Sequence, residues 1–171
     1  MSVTRTLRLE KELDGALQKI ATEERVSVNT LVNRLLRKFV DWDVHARRFG
    51  MTTLRPAMMV QLMERQSPEE AVELGRSAVR DSAKSAVESM FVDFTPTSAI
   101  EFLRRFGLYA GRYEFEHSED GRKHVILIRH GSGLKWSLYY EGVLRGIFED
   151  GLGYKIQVRS TPDTCIARFE V

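Results

Sequence analysis

Residues 3–9 read V-T-R-T-L-R-L. Alternation places Val3, Arg5, Leu7 and Leu9 on one face of an extended chain and Thr4, Thr6 and Arg8 on the other, which predicts a short strand. The chain passes directly from it into a helical pattern, so no hairpin partner lies nearby. The unpaired N–H and C=O groups of such a strand need a partner from elsewhere, and the nearest identical one is the same strand of a second chain. From Lys11 to Glu24, Leu13, Ala16, Leu17, Ile20 and Ala21 follow the i, i+3, i+4, i+7, i+8 spacing of an amphipathic helix. Arg25-Val26 breaks the pattern, and Ser27 stands where a helix wants an N-cap hydroxyl. Val28, Leu31, Val32, Leu35, Leu36, Phe39 and Val40 then form a second apolar stripe, predicted to run through Trp42 toward Arg48 and to stop at Gly50. A span of about 40 residues rarely holds a core alone, so two such stripes point to dimerisation.

The order strand, helix, short turn, helix resembles the ribbon-helix-helix family of Arc/MetJ/CopG-type repressors over residues 3–45. T-R-T-L-R-L matches the strand and E-E-R-V-S-V-N-T-L-V the inter-helix turn. The resemblance implies an intertwined dimer whose strands pair as an antiparallel ribbon in the major groove of double-stranded DNA. It implies base contacts from Thr4, Thr6 and Arg8, with Arg8 able to form a bidentate bond to guanine. It also implies phosphate contacts at the start of the second helix, from Ser27, Val28 and Asn29 through backbone N–H groups and the helix dipole.

The 171-residue chain accommodates one large domain or two small ones, and 43% apolar with 29% charged residues is the composition of a folded globular protein. A formal net charge of +2 carries no case for nucleic-acid binding, which must rest on where particular residues sit. The lone Cys165 excludes an intramolecular disulfide and suits a reducing compartment. With no signal-peptide pattern and no long apolar run, a cytoplasmic location and no membrane span are expected.

Arg55-Pro56 opens a Met-rich helical segment, and S-P-E-E from Ser67 starts a helix that reaches toward Met90, rich in Ala and Ser. Beyond it the pattern predicts a helix over 97–108, strands over 112–117 and 123–130, a helix over 133–149, and strands over 154–159 and 164–171. Asp120-Gly121 is placed at the turn of the first hairpin. With residues 91–94 as a further strand, the order becomes the split βαβ or ferredoxin-like plan, shared by ACT-type ligand-sensing modules. The expected fold class is therefore α+β. An N-terminal ribbon-helix-helix over 1–48 would be followed by a helical connector over 49–90 and a ferredoxin-like/ACT-like module over 91–171.

A two-residue Asp120-Gly121 turn would set His117 directly opposite His124, but His130 lies about 20 Å further along an extended strand. Only Cys165 on another strand could then complete a ligand set, and no metal site and no cofactor are expected. H-G-S-G-L-K-W-S over 130–137 lacks the ending of a phosphate-binding loop and reads as a tight turn with a helix start. Trp136, Tyr139, Tyr140, Val143, Leu144 and Phe148 read as an aromatic helix face in a core or dimer interface. No nucleophile-base or paired-carboxylate set can be placed, so no catalytic residue is assigned and no enzyme is expected. The function expected is a dimeric or higher-order DNA-binding regulator, such as a repressor, whose C-terminal domain oligomerises or binds a small-molecule effector. The alternative is an antitoxin-like partner-binding protein that uses its head mainly to dimerise.

Overall fold

In the computed structural model, which describes residues 3–80 and 82–171, the first apolar stripe is realised as α1 (Lys11–Glu23). It closes with the N–H of Val26 donating to Ala21 O (2.9 Å) and that of Arg25 to Thr22 O (3.2 Å). This helix stop normally uses glycine at the left-handed position. Here Arg25 occupies it at φ 56°, at a cost of roughly 1–2 kcal/mol. Ser27 caps α2 (Val28–Lys38), its Oγ accepting from Thr30 N–H at 3.0 Å, and a wider π-type turn follows over Phe39–Asp43.

Two compact units result, Met1–Asp43 and Val44–Val171. In the first, Leu17, Ala21 and Leu31 are buried, with Val26, Val28 and Val32 packed around them. Leu13, Ile20, Leu35 and Leu36 keep 42–52% of their surface in solvent, so much of both stripes is uncovered.

The second unit holds α3 (Val44–Arg48), α4 (Pro56–Glu64), α5 (Pro68–Arg80), α6 (Ala83–Phe91) and α7 (Pro96–Ala110). These are followed by β1 (Glu114–Asp120), β2 (Lys123–Arg129), α8 (Leu134–Arg145) with a π-type turn at Gly146–Gly151, β3 (Gln157–Ser160) and β4 (Thr164–Glu170). A capping box starts α7: Thr95 Oγ1 accepts from Ser98 N–H and Ser98 Oγ accepts from Thr95 N–H, with Pro96 at the first helical position. The four strands form one antiparallel sheet in the order β1-β2-β4-β3. Alternation buries Ile126, Ile128, Cys165, Ala167 and Phe169 on one face, against α7 and α8, while Glu114, Glu116, Arg129 and Arg168 stay exposed on the other.

Helices α5 and α8 cross at backbone distance. A Cβ on Gly142 would overlap the carbonyl oxygen of Val72 and lie 2.8 Å from Arg76 N, and one on Gly75 would overlap the carbonyl oxygen of Tyr139. Only hydrogen at these two positions lets the helices meet. Arg76 on α5 also forms a two-bond pair with Asp150 beyond α8, which lowers the Asp150 pKa by that hydrogen bond and raises that of the guanidinium.

The expected fold class needs correction in both halves. Residues 3–10 form no strand, so there is no N-terminal ribbon-helix-helix. The chain is helix-rich, with its sheet confined to the C-terminal part. The backbone of 3–10 has no strand beside it to pair with, and every residue of the segment is exposed. The ferredoxin-like/ACT-like plan also fails, because its first strand is absent. Phe91 ends α6, and Val92 (φ 72°, ψ −52°) centres a three-residue turn closed by Asp93 N–H donating to Phe91 O at 2.8 Å. Without that strand, two hairpins joined by α8 close an all-antiparallel sheet. The helix expected from Ser67 toward Met90 is described as α5 and α6; Asp81, which falls within it, lies outside the described residues. Among the described residues no helix is long and apolar enough to cross a membrane.

Candidate functional site

Thr4, Thr6 and Arg8 all lie in the exposed segment, without regular secondary structure, that precedes α1. Between Val3 and Leu9 the segment carries Arg5 and Arg8 and no acidic residue. Ser27 is the cap of α2 and Val28 and Asn29 its first two residues, whose N–H groups a helix start leaves without an intrahelical acceptor. The Asn29 side-chain oxygen accepts from Asn33 Nδ2 at 3.1 Å, so Asn29 can meet an anion through its amide Nδ2 or its backbone N–H. Arg34 pairs with Glu24 at 2.6 Å across the inter-helix turn.

The second unit encloses an apolar cavity of about 220 Å³ between α5, α6, α7 and α8. Its walls include Val79, Ala83, Leu103, Phe106, Tyr140 and Val143. The volume exceeds the ~150 Å³ of dry engineered cavities that take up benzene, so a small apolar molecule fits. Tyr113, also on the wall, donates its hydroxyl to Leu103 O at 2.8 Å, and Gly107 leaves room for its ring. Burial pushes the Tyr113 and Tyr140 hydroxyls well above their ordinary pKa, so both stay neutral. Tyr139, Tyr140 and Val143 read in the sequence as part of an aromatic face for a core or dimer interface, and no pattern there marks a void. A void arises from how α6 and α7 close over α5 and α8.

Two histidine arrangements separate in the structure. His130 lies just past β2: its Nδ1 accepts from Ser132 N–H at 3.0 Å, which leaves the proton on Nε2, 2.8 Å from Ser137 Oγ. The Ser137 hydroxyl donates in turn to Thr161 O and is fully buried. In this chain of bonds the histidine donates to the serine, the reverse of what a general base does to a nucleophile. It ties the 130–133 turn to α8 and to the loop before β4. Burial lowers the pKa of His130.

His117 and His124 lie on the core face near the far end of the first hairpin. The register differs from the expected one. Asp120 pairs with Lys123, so Gly121 and Arg122 form the two-residue turn, His117 stands opposite Ile126, and Glu119 stands opposite His124. Gly121 at φ 60° in the first turn position is the type II′ arrangement, whereas the expected register put Asp120-Gly121 at the centre. A shift of two residues keeps every side chain on its face but makes the histidines diagonal neighbours. His117 Nε2 lies 3.0 Å from His124 Nδ1, the rings stack at 5.3 Å and 14°, and His124 stacks on Phe169 at 5.2 Å and 11°. Burial, then the nearness of His124 and Arg104, lowers the His117 pKa. Cys165 pairs with Ile128 and is fully buried, its thiol pushed up to about 12, so it joins neither histidine set as a thiolate.

Compared with known protein families and with curated proteins, the chain matches none.

Proposed function

We propose that the protein is a dimeric, sequence-specific DNA-binding regulator acting in the cytoplasm. The N-terminal unit would carry the DNA contacts, and the second unit would take up a small apolar effector or join further copies. The observation that carries this is the exposed segment from Val3 to Leu9, with two arginines, two threonines and no acid, directly ahead of a unit whose apolar stripes are half uncovered. The likeness of T-R-T-L-R-L and E-E-R-V-S-V-N-T-L-V to DNA-binding repressors supports the same reading. DNA contact is assigned to the exposed segment itself, not to a two-stranded ribbon.

Arg8 is assigned to a guanine edge and Thr4 and Thr6 to neighbouring bases, each good bidentate contact contributing about 1–3 kcal/mol of discrimination. The starting N–H groups of α2 at Ser27, Val28 and Asn29 are assigned to a phosphate. Leu13, Ile20, Leu35 and Leu36 supply the apolar area a second copy would cover, at about 25 cal/mol per Å². The cavity supports the effector assignment, since its lining is mainly apolar, with Ser82 and three tyrosines among it.

Selection of bound fragments from a random DNA pool, with the molar mass measured in parallel, tests the proposal. Enrichment of a two-fold repeated motif by a species of twice the chain mass is the expected result. Recovery of unenriched sequences, or of no DNA, would count against it, and copurification with one protein partner instead would favour the partner-binding alternative.

A further inference from the structure

We propose that His117, Glu119 and His124 form a binding site for a divalent transition-metal ion of the zinc type. The ligands are two imidazole nitrogens and one carboxylate oxygen, with a fourth position open to solvent.

The hairpin register builds the site. Glu119 sits directly across from His124, and His117 is two residues back on β1, so the pleat sends all three side chains to one face. One ligand atom from each lies within 4.8 Å of the others. A tetrahedral ion with bonds of about 2.0–2.1 Å holds adjacent ligand atoms about 3.4 Å apart. The 3.0 Å between His117 Nε2 and His124 Nδ1 is already close to that separation. Only the carboxylate has to close in, and Glu119 is exposed and free to rotate toward the pair.

Burial grades across the site, with His124 9% exposed, His117 half-buried and Glu119 in solvent. One side is therefore packed and the other open, which gives an ion both a fixed frame and a route in. Stacking between Phe169 and His117 fixes the plane of the His124 ring, so little order has to be imposed on binding. The nearby cation, Arg104, opposes an ion, but its guanidinium is paired with Glu101 at 3.2 Å and stacks over Phe115. Two nitrogens with one oxygen favour zinc, nickel, cobalt or copper over magnesium and calcium, which prefer all-oxygen sets. Three protein ligands with one open position describe an exchangeable ion, in contrast to a closed four-ligand structural site.

The site owes nothing to the DNA-binding reading and stands or falls separately. The test uses tag-free full-length protein stripped with chelator. Zinc is titrated by calorimetry, and cobalt(II) is followed by its visible absorption. One ion per chain is expected, with a tetrahedral cobalt spectrum, a zinc-dependent rise in melting temperature, and zinc-induced shifts of the imidazole proton resonances of His117 and His124. His117→Gln should abolish the spectrum, and Glu119→Gln should weaken zinc binding by about tenfold or more. Glu119 is exposed, so Glu119→Gln should keep the wild-type melting temperature without metal. No ion uptake, or uptake unchanged in both variants, would overturn the proposal and leave the two imidazoles as a hydrogen-bonded pair.

Discussion

Replacing Gly142 with alanine tests the packing that frames the second unit. The added Cβ would overlap the Val72 carbonyl oxygen and stand 2.8 Å from Arg76 N and 2.9 Å from Val72 C. Optimal carbon contacts lie near 3.5 Å or beyond, so α5 and α8 must separate by something on the order of 1.5 Å. A gap of 0.5–1 Å already forfeits roughly a quarter to a half of each contact. Taking about 50 contacts of about 0.15 kcal/mol along the crossing, the loss is roughly 3 kcal/mol. Alanine returns about 1 kcal/mol through its better helix propensity, so packing wins by about 2 kcal/mol. For a chain of this size that corresponds to a melting temperature lower by roughly 4–8 °C. Gly15→Ala is the matched control, because nothing lies within 4 Å of its would-be Cβ on the exposed face of α1. It should stabilise the first unit by about 0.5–1 kcal/mol. Urea unfolding of both variants decides the matter. A Gly142→Ala protein as stable as wild type would mean that the two helices do not meet at backbone distance.

The cavity should bind a small aromatic hydrocarbon such as toluene, raising the wild-type melting temperature; Ala83→Leu, which fills the space, should remove that rise, and an undiminished rise would place the probe elsewhere. Stability should also fall on mild acidification. His117 and His130 have folded pKa values below the ordinary 6.5, chiefly through burial, so the unfolded chain takes up protons first as pH drops. Their contribution is therefore intact above about pH 6.5 and lost below it as pH approaches their folded values. Denaturant midpoints across this range should show a shallower decline in His117→Gln and His130→Gln, and identical slopes in wild type and variants would refute the assignment.

Periodicity carried most of the local structure. The spacing of Leu13, Leu17, Ile20 and Ala21, the hydroxyl of Ser27, the mostly β-branched run Val125–Ile128 and the apolar alternation of Cys165, Ala167 and Phe169 each state a local preference that the fold keeps. Pairing was less legible, because a strand needs a neighbour that its own sequence does not specify. Val3–Leu9 alternates as a strand does and yet forms none, and Phe91–Phe94 is apolar enough for a strand but ends a helix. The hairpin was visible, but Asp-Gly suits two turn registers, and the one adopted brings Glu119 rather than His130 to the histidine pair. The close crossing at Gly75 and Gly142 and the cavity beside it are products of tertiary packing. Small residues in α5 hint at the first, and no sequence signal announces the second.

Titration of a selected DNA sequence with wild type and with Arg8→Ala at several salt concentrations separates base recognition from phosphate contact. Arg8→Ala should lose about 1–3 kcal/mol of preference for the selected sequence over unrelated DNA while helicity and dimer mass stay as in wild type. An unchanged preference, or wild-type binding that falls with salt but never distinguishes one sequence from another, would contradict it.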